Sequence, residues 1–297
     1  MESVDLTGRT VFITGSTAGV GASAAKRLAA RGARVLLHGR DQKRGEEVRA
    51  GIAAAKGGEA HLLRADLSSL AEVRELAAAV TARTDRLDAL VLNAGLARAP
   101  REITADGFEK TFAVNHLAHF LLAHLLLGAL ENAASTGRAA RLVVVASNGH
   151  HRARLDLDRV TDPPDYDGWR AYADSKLANV LFAREAARRW AVHCVTVNAL
   201  HPGVLATRIW DRNFRPVWLL ARLAKVFMDS PRVGGEAVER LVADPALEGV
   251  TGEYFDELER AEPVLPPDHE DLARSLWERS IAWAGLDAGD PVRATSP

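Results

Sequence analysis

Short strands that are apolar on both faces alternate with helical stretches along most of this chain, and that alternation restricts its fold more than any other feature. Residues 10–14 read as a β-branched strand, and 19–31 as an alanine-rich helix that Gly32 stops. Strands at 33–38, 60–65, 87–92, 141–146 and 193–200 are separated by helical patterns at 41–56, from 69 onward, across about 107–130, and at 169–190. Ser69 and Glu72 have the spacing of a reciprocal capping box. Strands buried on both faces and joined by helices require parallel pairing and right-handed crossovers. The pattern predicts an α/β fold: one doubly wound, Rossmann-type domain over residues 1–297, its mainly parallel sheet flanked by helices.

Composition narrows the classes of partner. With 297 residues and a formal net charge of −1, the chain offers no electrostatic reason to bind nucleic acid or an anionic membrane surface. The longest apolar run, 117–130, contains His119 and His124 and falls short of the ~20 residues of a membrane span. The N-terminus lacks the basic and apolar regions of a signal peptide. These features predict a cytoplasmic protein without an integral membrane segment. Cys194, the single cysteine, sits in the apolar run 193–197 and reads as a buried, inert thiol in a reducing compartment. Residues 287–297 read as a frayed tail.

The glycine-rich turn after the first strand carries the first chemistry. Gly15 permits a tight turn, Gly19 a close approach of backbone to a pyrophosphate, and Gly21 close helix–strand packing. Free amides at the following helix N-terminus then face phosphates, with Ser16, Thr17 and Val20 completing the cradle. The end of the second strand discriminates between dinucleotides, because an acid there holds a ribose 2′-hydroxyl whereas an arginine accepts a 2′-phosphate. Gly39 stands where the acid is expected and Arg40 follows, which points to NADP(H) over NAD(H). Asp41 is either a ribose ligand or the cap of the next helix, and its position suits the cap.

The turn Thr14–Gly21 resembles that of the short-chain dehydrogenases/reductases, and further matches follow in that family's order. Asp66 and Leu67 resemble its adenine-contacting pair, and Asn93-Ala94-Gly95 its turn after the fourth strand. Asn115, Ser147, Tyr172 and Lys176 match its catalytic residues. Pro202-Gly203, with Thr207 beyond, resembles its nicotinamide-side loop. The stretches 115–120, 175–182, 251–255 and 276–278 are similar to the retinol dehydrogenase-like branch, as is the interval of 25 residues between Ser147 and Tyr172. The resemblance implies a homodimer or homotetramer built on the helices around Asn115 and Tyr172.

Tyr172 and Lys176 lie four residues apart, so one helical face carries both. A neighbouring ammonium and an oxidised nicotinamide ring would favour phenolate, so that Tyr172 exchanges a proton with the substrate oxygen as hydride moves. Ser147 would stabilise charge on that oxygen. By resemblance, Lys176 also holds the nicotinamide ribose, and Asn115 anchors a water connecting Lys176 to solvent. His116 and His119 share a helical face without carboxylate partners, and no metal site is predicted. Residues 207–229, with Trp210, Phe214 and Trp218, suit a mobile flap over a bulky apolar alcohol, aldehyde or ketone. Two other readings stay open on sequence: a non-catalytic dinucleotide sensor, and a same-fold double-bond reductase, dehydratase or epimerase.

Overall fold

Eight strands form one sheet in the order β3-β2-β1-β4-β5-β6-β7-β8, parallel throughout except for the last pair. The computed structural model describes residues 4–98, 100–135, 137–203 and 231–287. The elements follow one another as β1 (Thr10–Ile13), α1 (Gly19–Ala30), β2 (Arg34–His38), α2 (Gln42–Ala54), β3 (Ala60–Leu63), α3 (Leu70–Thr81) and β4 (Ala89–Leu92). Then come α4 (Lys110–Phe112), α5 (Ala118–Leu125), α6 (Leu127–Ala134), β5 (Ala140–Val145), α7 (Gly168–Arg189) and β6 (Val195–His201). The described chain closes with α8 (Pro231–Ala243), β7 (Tyr254–Asp256), β8 (Glu259–Ala261) and α9 (His269–Trp283). The expected flap at 207–229, Thr207 within it, and the tail from 288 lie outside the described residues.

Because strand side chains alternate between faces, the sheet feeds two cores. Val11, Ile13, Val35 and Leu37 pack with α1, α2 and α8 on one side. Phe12, Leu36, Leu90 and Leu142 pack with α3, α5, α6 and α7 on the other. Glu239 of α8, almost wholly buried, is clamped by Arg27 of α1 and by Arg31, the residue that caps the C-terminus of α1, and so fixes one helix against the other. The interval between Ser147 and Tyr172 is folded down as well. Leu157 and Val160 bury against Phe112, Leu177 and Leu276, while the Tyr166 hydroxyl donates to the Arg98 carbonyl at 2.7 Å.

Several expectations are corrected. The helix expected over about 107–130 is broken: Ala113–Leu117 forms a π-helical turn, and the chain bends again at Leu126. Cys194 is exposed, with φ +54°, because β6 starts one residue later and the thiol belongs to the turn before it. The capping box is half made: Ser69 Oγ accepts from the Glu72 amide at 3.3 Å, but the Glu72 carboxylate reaches the Asp66 amide at 2.7 Å. β7 and β8 extend the sheet beyond the six strands read from sequence, since each has only three residues and no distinct period. Asp41 caps α2 by accepting from the Arg44 amide, as its position suggests.

Trp277 of α9 is the hinge of the lower core, its ring meeting Phe120 at 5.1 Å, Trp190 at 5.7 Å and Phe182 at 6.0 Å between centroids. Arg189 covers it at 4.9 Å. Removing so much packed surface leaves a cavity, so Trp277→Ala is expected to cost about 3–5 kcal/mol in urea unfolding. Val192→Ala, at a side chain 82% exposed, should stay within about 0.5 kcal/mol. Equal losses would show that α9 does not depend on this aromatic contact.

Candidate active site

The Thr14 hydroxyl at the end of β1 joins three parts of the chain. Its oxygen accepts the backbone N–H of Asn93 at 2.9 Å and of Ala94 at 3.0 Å, and it lies 2.9 Å from His119 Nε2. His119 Nδ1 faces the Asn115 carbonyl at 3.1 Å. A carbonyl only accepts, so Nδ1 carries the ring proton and Nε2 receives that of Thr14. Burial pulls the His119 pKa down to about 3, which keeps the ring neutral. His38 acts likewise at the end of β2. The Gly15 amide donates to its Nδ1 at 3.1 Å, its Nε2 donates to the Ala65 carbonyl at 3.2 Å, and burial lowers its pKa to about 4.

These contacts hold the glycine turn over the carboxyl ends of the strands. Gly15 has φ +64°, and a Cβ there would stand 2.8 Å from Ala94 Cα, so both conformation and space demand glycine. The Asn93 side chain donates to the Thr14 carbonyl at 2.8 Å and the Gly15 carbonyl at 3.2 Å. The Ser16 hydroxyl turns inward to the Ile13 carbonyl at 2.9 Å and accepts the His38 amide at 2.9 Å. Ser16 and Gly21 therefore build the turn from behind, and neither contributes to the cavity wall.

That cavity, of about 1170 Å³, opens where the sheet order reverses between β1 and β4. Arg40, Arg44, Asp66 and Leu67 line one end. Gly15, Thr17, Gly19, Val20, Asn93, Ala94 and Gly95 line the middle. Ser147, Tyr172, Lys176, Pro202 and Gly203 line the other end. Arg40 pairs with Asp66 at 3.2 Å. A Cβ on Gly39 would fall 2.4 Å from Thr17 Cγ2, so Thr17 occupies the room an acidic side chain there would need.

At the far end, Tyr172 and Lys176 share the buried face of α7. Lys176 Nζ donates to the Val145 carbonyl at 3.0 Å and lies 5.7 Å from the Tyr172 ring centroid. Burial lowers the Lys176 pKa to about 8. Burial also raises that of Tyr172, and a hydrogen bond with Ser147 pulls the other way. Burial is the larger of the two causes, so Tyr172 is a neutral phenol at neutral pH in the protein without a nicotinamide ring beside it. Ser147 Oγ accepts from the Gly149 amide at 3.1 Å.

Asn115 stands behind this wall, in the π-helical turn. Its Oδ1 accepts the Leu96 amide at 2.8 Å, and its Nδ2 donates to the Leu96 carbonyl and to Ser175 Oγ, each at 2.9 Å. Ser175 donates onward to the Tyr172 carbonyl at 2.7 Å. A Cβ on Gly95 would come 3.4 Å from Asn115 Oδ1 and 3.5 Å from Lys176 Nζ. All four residues of the expected set thus meet around one end of the cavity.

Thr14, His38, His119 and Asn148 also shape the site, although the sequence expectations do not assign them to it. Asn148 donates to the Asp256 carboxylate at 2.9 Å and accepts the Tyr254 hydroxyl at 2.7 Å, tying β7 to the turn after β5. Thr14 was visible inside the glycine turn. The others have no local signature, because their partners lie far away in sequence. His116 meets Ser280 at 3.0 Å rather than His119. Among the described residues no three His, Cys, Asp or Glu side chains group as a metal site.

A family model described as short chain dehydrogenase matches residues 9–217. Retinol dehydrogenase 14 of Mus musculus is 37% identical over 94% of this chain and 86% of its own length. Polyprenol dehydrogenase of Mus musculus is 39% identical over 95% and 86%. Among solved structures, the Pseudomonas aeruginosa RhlG/NADP active-site complex superposes with TM-score 0.70 at 26% identity, over 86% of this chain and 97% of the other. The residues present fit the nicotinamide dinucleotide that this family binds. Glycines form the wall where phosphates would pass, and Gly95 leaves open the space that a side chain would fill beside Lys176.

Thr14→Val keeps shape but leaves the Ala94 amide unpaired and the Asn93 amide with only the Val91 carbonyl, and an unmade hydrogen bond of this kind costs about 1–3 kcal/mol. Thr14→Ser keeps the hydroxyl. Urea unfolding should separate the two variants by at least about 1 kcal/mol, and equal stability would show that the Thr14 hydroxyl does not hold this junction.

Proposed function

The chain belongs to the short-chain dehydrogenase/reductase family, and on that premise we propose that it is an NADP(H)-dependent oxidoreductase acting on a bulky apolar alcohol, aldehyde or ketone. The observation that carries the reading is the hydrogen bond of Tyr172 with Ser147, beside Lys176, on the wall of a cavity whose middle is the glycine turn. The bound dinucleotide would supply or accept the hydride. Gly15, Thr17, Gly19, Val20, Asn93, Ala94 and Gly95 would receive it, with Asp66 and Leu67 at the adenine end and Pro202 and Gly203 at the nicotinamide end. The reach of Thr207 to it is part of the same proposal.

In this reading the neutral Tyr172 phenol gives its proton to the substrate oxygen during reduction and takes it back during oxidation. Ser147 donates a hydrogen bond to the same oxygen as negative charge develops. Lys176, largely an ammonium at neutral pH, favours phenolate as the proton leaves and binds ribose hydroxyls. Asn115 acts through position: its side chain locks the Leu96 turn and Ser175, and thereby the backbone of Tyr172. Reduction suits the resting protonation state, because burial holds the phenol above its ordinary pKa.

NADP(H) is favoured over NAD(H) by Arg40 at the cavity wall, with Arg44 beside it, and by Thr17 filling the space an acid at position 39 would use. The RhlG complex holds NADP in a similar fold. The apolar substrate class rests on relatives named for retinol and polyprenol. No single helix among the described residues is long and apolar enough to cross a membrane. The proposal includes a single domain, a cytoplasmic location and a homodimer or homotetramer.

Tyr172→Phe should bind NADPH within about two-fold of wild type by fluorescence titration. Its turnover of apolar aldehydes, followed through NADPH absorbance, should fall by at least ~10²-fold. The wild-type rate of alcohol oxidation should climb as pH rises above neutral, whereas carbonyl reduction should not. Retained turnover in the purified variant would end the proposal.

Arg40→Ala should raise KM for NADPH about ten-fold or more, the value of one lost charged hydrogen bond, and leave KM for NADH within about two-fold. A wild-type enzyme that prefers NADH by kcat/KM would sink this cofactor assignment.

A further inference from the structure

The parallel sheet sends its carboxyl ends to the cavity described above and its amino ends to the opposite edge. At that second edge, Arg9 immediately precedes β1, Arg86 lies just before β4, and Arg138 lies just before β5. The three strands are neighbours in the sheet, and adjacent strands run about 4.8 Å apart, so three arginines distant in sequence are brought to one place. They line a cavity of about 200 Å³, together with Arg141, Asp88 and the backbone of the turn at Gly8.

The charges in this wall are unbalanced. Arg141 is already used, donating to the Leu241 carbonyl and the Glu248 carboxylate at 3.1 Å each. Asp88, the wall's one carboxylate, accepts the Thr10 amide at 2.9 Å. Arg138 lies near enough to Glu248 to help hold its pKa down, but makes no ion pair with it. Among the described residues, the guanidinium groups of Arg9, Arg86 and Arg138 have neither a hydrogen-bond nor an ion-pair partner. The whole chain carries a net charge of −1, so this local excess is not a general basic surface.

We propose that this cavity, at the amino ends of β1, β4 and β5, binds a small phosphate-class oxyanion through Arg9, Arg86 and Arg138. Its volume is below the ~300–1,000 Å³ of pockets that enclose drug-sized ligands, and suits a compact anion. Planar guanidinium forks match tetrahedral oxyanions in pairs of hydrogen bonds, and three of them converge on a wall whose one carboxylate, Asp88, already accepts the Thr10 amide. The site is separate from the dinucleotide cavity, since the two open at opposite edges of one parallel sheet.

The test uses the full chain with saturating NADPH, which blocks the glycine turn against phosphate. Thermal melts in inorganic phosphate should rise above those in sodium chloride of equal ionic strength, and titration calorimetry should detect a saturable site. The double variant Arg86→Gln/Arg138→Gln should weaken phosphate binding by at least about ten-fold, because each lost charged hydrogen bond alone is worth that much. Both side chains are exposed, and the melt of the variant in chloride establishes that it folds. Glycerol 3-phosphate binding at the same site would identify a phosphomonoester as occupant, and binding of the free ion alone would identify inorganic phosphate. Equal melts in phosphate and chloride, or an undiminished phosphate response in the double variant, would overturn the proposal.

Discussion

A buried hydroxyl group, that of Thr14, sets the relation between the two halves of the site. It receives two amides from the turn after β4 and gives its own proton to His119, which is anchored on the Asn115 carbonyl. The glycine turn, the Asn93–Gly95 turn and the π-helical stretch are therefore held by one oxygen atom and one neutral ring. The network closes with His119 unprotonated, its Nδ1–H on the Asn115 carbonyl and its Nε2 accepting from Thr14. Burial enforces that state. His38 repeats the device one strand further out, between Gly15 and Ala65.

Burial also governs the chemistry at the other end. Tyr172 and Lys176 sit in the same apolar packing that forms the core, and each is pushed toward its neutral form: the phenol upward, the amine down to about 8. The two shifts oppose the charge separation that a phenolate–ammonium pair would need. The phenol therefore keeps its proton at neutral pH, while the amine, its pKa lowered only to about 8, remains largely an ammonium. A hydrogen bond with Ser147 favours the phenolate.

A doubly wound sheet has two edges of opposite character, and this chain places arginines at both. At the carboxyl edge Arg40 is paired with Asp66 and stands beside Arg44 in the cavity wall. At the amino edge Arg9, Arg86 and Arg138 converge because their strands are neighbours. Neither grouping is visible as a run of charge along the chain, since each is assembled across strands that follow one another only in space.

What the sequence determined by itself was the class of the fold and the members of the central set. Two-sided apolar strands and their spacing require a parallel, helix-covered sheet, and the glycine turn with Asn115, Ser147, Tyr172 and Lys176, in that order, is picked out by its resemblance to a known family. Strand pattern and motif order are both carried along the chain itself. The rest was decided by tertiary structure. The break of the 107–130 helix into a π-helical turn depends on Asn115 finding Leu96 and Ser175. The inward turn of Ser16 depends on His38. The exposure of Cys194 depends on where β6 begins to pair with β5. The raised pKa of Tyr172 depends on how deeply α7 is buried. Each of these rests on hydrogen bonds or burial between residues remote in sequence, whose energies exist only after the strands have been ordered side by side.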